Sequence, residues 1–136
     1  DELQKKVLAF DWWIHNNDRM LTETGGNPNL FWEPEGEQLV VIDHNQAFDP
    51  VFSTKDFLDY HVFSGGRPDV FGDALYRQEY ENAFQSVLTH WQSICDNIPV
   101  EWNYLDQEMT VPADIQLDAI FNVLNRCNTS KLWDQT

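Results

Sequence analysis

The sequence predicts an α+β fold that is mainly α-helical, and three observations carry that reading. Leu3, Val7, Phe10 and Ile14 recur at three- and four-residue spacing, which places side chains on one face of a helix. Two short apolar runs, 29–32 and 38–42, flank the turn sequence Glu33-Pro34-Glu35-Gly36-Glu37, the pattern of an antiparallel hairpin. From Ser53 onward helical periodicity returns. The 136 residues suffice for one core, so 1–136 is expected to be a single domain.

The first helix is expected from about Glu2 to His15, with Trp12 and Trp13 near its end and the polar stretch Asn16-Asn17-Asp18-Arg19 after it. Thr22 to Pro28 reads as loop, because two glycines adjoin and Pro28 disfavours helix at Asn27. After the hairpin, Ser53 followed by Asp56 resembles a capping box and opens a helix carrying Phe57, Leu58 and Val62, which Gly65-Gly66 stops. Tyr80, Phe84, Val87, Trp91 and Ile94 mark one long amphipathic helix over 70–97. Pro99 and Pro112 stand where first-turn prolines fall, the second opening a helix that buries Ile115, Ala119, Ile120 and Val123. The six Trp read as core and rim residues, and His15, His61 and His90 as partly buried helix residues rather than metal ligands.

Composition narrows the function. With 42% hydrophobic and 14% aromatic residues, the chain is too apolar for a disordered tail. Eight Lys and Arg against 23 Asp and Glu give a formal charge of −15. That field repels phosphate backbones and anionic lipid, so direct nucleic-acid contact and membrane-surface roles fall behind. The longest apolar runs, such as Leu39 to Ile42, are too short to span a bilayer. Cys95 and Cys127 lack metal or redox spacing, which fits a reduced, cytoplasmic protein, with one disulfide as the alternative. Asp1 in place of an initiator Met suggests a chain cut from a longer one.

The polar residues of 11–48 fall in a telling order. Asp18 follows a helix, Asn29 starts one strand, and Asp43 ends the returning strand. Phosphoryl transfer needs such a set, since the protein supplies mainly positioning and charge neutralisation. One carboxylate orients, and can deprotonate, the attacking hydroxyl. A second carboxylate and a neutral amide oxygen can hold Mg²⁺, which is hard and keeps several waters. The hairpin brings Asn29 and Asp43 together, and the preceding loop can aim Asp18 at the same spot.

At Asp18-Arg19, Gly25-Gly26-Asn27-Pro28-Asn29-Leu30-Phe31-Trp32 and Ile42-Asp43-His44-Asn45-Gln46-Ala47-Phe48 the chain resembles HipA-like kinases, relatives of the HipA toxin with a phosphoinositide-kinase-like active site. The resemblance is specific over 11–48, the catalytic segment, and implies a kinase C-terminal lobe whose helical remainder is 49–136. It implies ATP and Mg²⁺ as cofactors, Asp18 as the catalytic-loop acid, and Asn29 and Asp43 as metal ligands. The step from Asp18 to Asn29 exceeds the usual kinase spacing, which makes Asn27 a rival for the amide role beside the nucleotide. Position 20 is Met where lipid kinases carry His, so Arg19 is a candidate to cover phosphate charge during catalysis. His44 either touches the nucleotide or packs under the loop, packing being the favoured reading. The sequence carries no glycine-rich phosphate loop and no strand lysine, which implies an N-terminal lobe completing the site in cis or trans.

The resemblance implies transfer of the γ-phosphoryl group to a hydroxyl, foremost Ser or Thr of a protein, in a toxin–antitoxin setting; a lipid or small-molecule acceptor stays open. The acidic charge favours a basic partner, such as a tRNA-synthetase surface or a DNA-binding antitoxin. Two further readings remain: a pseudokinase or split-kinase subunit that binds a protein, and a structural helical domain in which Asp18, Asn29 and Asp43 lie far apart.

Overall fold

A computed structural model describes residues 1–135 of the chain. Among the described residues there are six α-helices and two small antiparallel sheets, in the order α1 (Glu2–Trp13), β1 (Leu21–Thr22), β2 (Gly25–Gly26), β3 (Leu30–Glu33), β4 (Gln38–Val41), α2 (Thr54–Tyr60), α3 (Arg67–Gly72), α4 (Ala74–Leu88), α5 (Trp91–Asp96) and α6 (Leu117–Leu124). The α+β, mainly helical class is as the sequence implied. Among the same residues no helix is long and apolar enough to cross a membrane, and both cysteines are free thiols.

Helix α1 starts on Asp1, whose carboxylate accepts the Leu3 amide at 3.0 Å, and runs through the centre of the core. Its buried face is not the expected stripe. Val7 and Ile14 are buried, but Leu3 and Phe10 are partly exposed, and Leu8, Ala9, Trp12 and Trp13 supply the core contacts. Both indoles are anchored from the far end of the chain. Trp12 Nε1 donates to the Leu132 carbonyl and Trp13 Nε1 to the Leu124 carbonyl at 2.8 Å, while Trp13 stacks on Phe84 of α4 with centroids 4.3 Å apart. Arg126 donates to the Trp12 and Trp13 carbonyls at 2.8 and 2.9 Å, a cation satisfying orphan carbonyls at a helix C-terminus. Burial lowers the Arg126 pKa to about 10. These ties hold α1 between the hairpin segment and the helical remainder.

The expected loop at 22–28 contains a miniature hairpin in which Leu21 faces Gly26 and Thr22 faces Gly25. A side chain at Gly26 would meet the Met20 carbonyl at 2.3 Å, and its φ of +150° disfavours L-residues; glycine is required there. The larger hairpin has the expected turn, with Leu30 opposite Val41, Phe31 opposite Val40 and Trp32 opposite Leu39.

Three helical boundaries differ from expectation. Helix α2 begins as read, with Ser53 Oγ accepting the Asp56 amide at 3.2 Å, but it ends at His61, and Gly65-Gly66 form a 3₁₀ turn leading into α3. The single helix expected over 70–97 is three. Asp73 is extended and its carboxylate accepts the Leu75 and Tyr76 amides, so an N-cap cuts the periodic pattern; a second break falls at Thr89-His90, where His90 is exposed. Pro112 opens no helix. It pairs with Tyr104 in an extended bridge, and α6 starts at Leu117, leaving Ile115 outside it and Ala119 exposed.

Candidate functional site

The segment after α1 arranges its polar groups in two layers. The inner layer centres on Asp11, fully buried on α1. Its carboxylate accepts Arg19 Nε at 2.6 Å and Asn16 Nδ2 at 2.9 Å, and faces His61 Nε2 at 2.9 Å. Burial is the largest influence on Asp11 and pushes its pKa up; the hydrogen bonds from His61, Arg19 and Asn16 together outweigh it and hold the carboxyl below the ordinary carboxylate range.

Arg19 is also fully buried. Besides Asp11 it donates to the carbonyls of Asn29 (2.9 Å), Pro28 (3.2 Å) and Ile42 (3.2 Å), and lies 3.2 Å from His44 Nε2. The guanidinium therefore faces inward instead of toward a phosphate, which corrects the catalytic role expected for it. Its five-donor fork fastens the start of β3 to the end of β4. His44 sets its ring edge-on against Phe10 at 5.9 Å and lines, with Val7, Phe10, Ile14 and Val41, an apolar hollow of about 550 Å³. His44 is nonetheless exposed.

The outer layer holds the three candidates named for chemistry. Asn29 Nδ2 donates to Asp18 Oδ2 at 2.8 Å, and Gln46 Nε2 donates to Asp18 Oδ1 at 3.3 Å. Both carboxylate oxygens are thus oriented by neutral amides. The Ile42 amide donates to the Asn29 carbonyl at 3.0 Å, so Asp43 is the next residue beyond a bond that ties the two strands at Asn29. Asp43 is exposed. Asn29 and Asp43 both adopt left-handed backbone, φ +50° and +53°, a conformation Asn and Asp tolerate better than other L-residues and one that gathers at functional turns. Asn27 Oδ1 accepts the Asn29 amide at 3.1 Å; of the two rival amides, Asn29 is the one that touches Asp18, while Asn27 shapes the turn. Asn16 bridges the layers, holding Asp11 with its Nδ2 and accepting the Asp18 amide on its Oδ1 at 3.3 Å.

Asn29 gives its NH₂ to Asp18, which leaves its Oδ1 as a neutral oxygen, and the exposed Asp43 follows the residue whose amide is tied to the Asn29 carbonyl. Among the described residues no three His, Cys, Asp or Glu converge as a metal cage. Mg²⁺ on a nucleotide needs less: one or two carboxylates, a carbonyl oxygen, phosphates and waters. The donor set fits that ion.

Sequence reasoning missed Asp11, Asn16, Gln46 and His61. The polar stretch after α1 flagged this neighbourhood, but Asp11 sits inside an apolar helix and His61 lies 50 residues further along. No local pattern joins them.

No curated protein and no solved structure matches this chain. The sequence model of HipA-like kinases matches residues 1–136, and the chain belongs to the HipA-like kinase family.

Proposed function

We propose that this chain forms the catalytic half of an ATP- and Mg²⁺-dependent phosphotransferase acting on a hydroxyl, foremost Ser or Thr of a protein. The observation that carries the reading is the hydrogen bond from Asn29 to Asp18 with Asp43 fixed one residue past the Asn29–Ile42 tie. This supports the reading because two acids and one amide, distant in sequence, are linked through the start of β3 and the end of β4. When bound, ATP supplies the transferred phosphoryl group and Mg²⁺ offsets the charge on its phosphates.

Asn29 Oδ1 and the Asp43 carboxylate would hold the ion. Asp18, oriented by Asn29 and Gln46, would align the acceptor hydroxyl and take its proton. Arg19 acts as a positioning residue, since it holds the carbonyls of Asn29 and Ile42 in one fork. Phe31 is 61% exposed, stands opposite Val40, and shares a hairpin face with Val40 and Ile42, because alternate residues point the same way. That face adjoins Asp43 and offers a flat apolar platform for a nucleobase. A glycine-rich cradle and a lysine for the phosphates would come from an N-terminal lobe, in cis or in trans. The reading includes a toxin–antitoxin setting in the cytoplasm, which the resemblance to HipA-like kinases supports.

The test is phosphoryl transfer from labelled ATP by the protein together with its N-terminal lobe. Asp43→Asn is expected to abolish turnover while the thermal midpoint stays near wild type. Wild-type turnover in Asp43→Asn contradicts the assignment.

A further inference from the structure

Away from the hairpin, the helical remainder carries a second feature that the phosphotransfer reading does not use. Between Arg77 and Arg126 the chain contains eight Asp and Glu and no Lys or Arg. Among the described residues none of these eight acids makes a salt bridge. The same stretch supplies most of an open hollow of about 330 Å³ whose accessible wall is entirely apolar, built from Val87, Ile94, Trp102, Ile115, Leu117 and Ile120 together with core residues. Val87, Ile94 and Trp102 are 49%, 48% and 66% exposed. Large apolar side chains clustered on an acidic surface mark an interaction site rather than ordinary surface scatter.

Four acids stand next to its lining residues in the chain. Asp96, Glu101, Asp114 and Asp118 each adjoin a lining residue in sequence and are exposed. Asp114 and Asp118 also line a neighbouring polar hollow that shares Ile115 and Leu117 as its wall. An apolar trough with neighbouring carboxylates that carry no ion pair among the described residues is complementary to one kind of shape: apolar side chains along one stripe, flanked by cations. An amphipathic helix with a basic polar face has that shape. A second copy of this chain, at a formal charge of −15, meets the trough with like charge, as does an anionic membrane.

We infer that the groove between α4–α5 and the 99–120 segment binds a cationic amphipathic helix of a partner protein. Trp102 is the anchor at its mouth and the four acids set orientation and encounter rate. This site is separate from the Asp18–Asn29–Asp43 edge, so its failure leaves the phosphotransfer reading untouched.

The test uses the 136-residue chain and synthetic peptides of about five helical turns, titrated calorimetrically. A Leu/Lys peptide with helical apolar periodicity is expected to bind, and to weaken at least about tenfold from low to high salt. A Leu/Lys peptide of the same composition with scrambled order, and a periodic Leu/Glu peptide, are expected not to bind. Trp102→Ala should weaken the cationic peptide about tenfold, and Glu101→Gln with Asp118→Asn should flatten its salt dependence. Equal binding of the scrambled peptide (charge alone) or of the Leu/Glu peptide (apolar surface alone) overturns the proposal. So does indifference to both variants, or a chain that self-associates until Trp102→Ala makes it monomeric.

Discussion

Asp18 and Arg19 are neighbours in the chain and belong to different layers of the molecule. Arg19 points into the protein, where it meets Asp11 and three backbone carbonyls with none of its surface exposed. Asp18 points out, where it meets only the amides of Asn29 and Gln46. The inner set of Asp11, Arg19 and His61 is buried and mutually paired. In the outer set Asn29 is buried, Asp18 is half-buried and Asp43 is exposed, and none of the three makes a salt bridge among the described residues. The comparison teaches that a buried charge network can act as scaffold for outer polar groups that it meets through their backbone. The inner cation fixes the carbonyls of Asn29 and of Ile42, the residue before Asp43.

The sharpest way to break this comparison is to remove the inner anion. Asp11→Ala leaves Arg19 buried without its partner, which costs about 3–5 kcal/mol, and chemical denaturation is expected to show a chain unfolded or nearly so. Next comes Asp18→Asn in the protein with its N-terminal lobe. Turnover should fall on the order of a hundredfold or more for a lost general base, with stability within about 0.5–1 kcal/mol of wild type. If Asp11→Ala stays folded, or Asp18→Asn unfolds, the two layers are not distinct.

A pH series sharpens the same contrast. His15 stacks on Phe52 with centroids 4.3 Å apart, and burial, with Arg126 nearby, lowers its pKa from 6.5 to about 4. The folded ring stays neutral where the unfolded one is protonated. Its contribution is therefore complete above pH 6.5 and declines as pH falls toward about 4, by an amount on the order of 1–2 kcal/mol given its partial exposure. Asp11, whose folded pKa is lowered, adds a further loss below its unfolded value of 3.8. His15→Asn, which tolerates the left-handed φ of +52°, should remove the first decline and leave the second. The smallest expected effect is Phe31→Ala, an exposed change that should raise KM for ATP several-fold with kcat and stability little altered.

Much of this organisation was legible in the sequence where the signal is local. The hairpin declared itself through Pro34 and Gly36 between two apolar runs, and Ser53 through its cap. The order Asp18, Asn29, Asp43 was legible because a two-stranded hairpin leaves few ways to place its ends. What could not be read depends on direction or distance. Helical periodicity carries past Asp73, since Val70, Tyr80 and Phe84 are all buried, and only the Asp73 carboxylate bound to the Leu75 and Tyr76 amides reveals the break. The two-residue strands at Leu21 and Gly25 are too short to show alternation. The inward turn of Arg19 follows from Asp11 and His61, which no spacing rule connects.

The central proposal is that Asn29 and Asp43 hold one divalent ion next to Asp18. Titrating Mn²⁺ with ATP into the isotope-labelled protein together with its N-terminal lobe and following paramagnetic line broadening tests it directly. The Asn29 side-chain amide and the backbone amides around Asp18 and Asp43 are expected to broaden first, and Asp43→Asn should abolish that focus. Broadening centred instead on the Glu33–Glu37 turn, or spread evenly over the acidic surface, would contradict it.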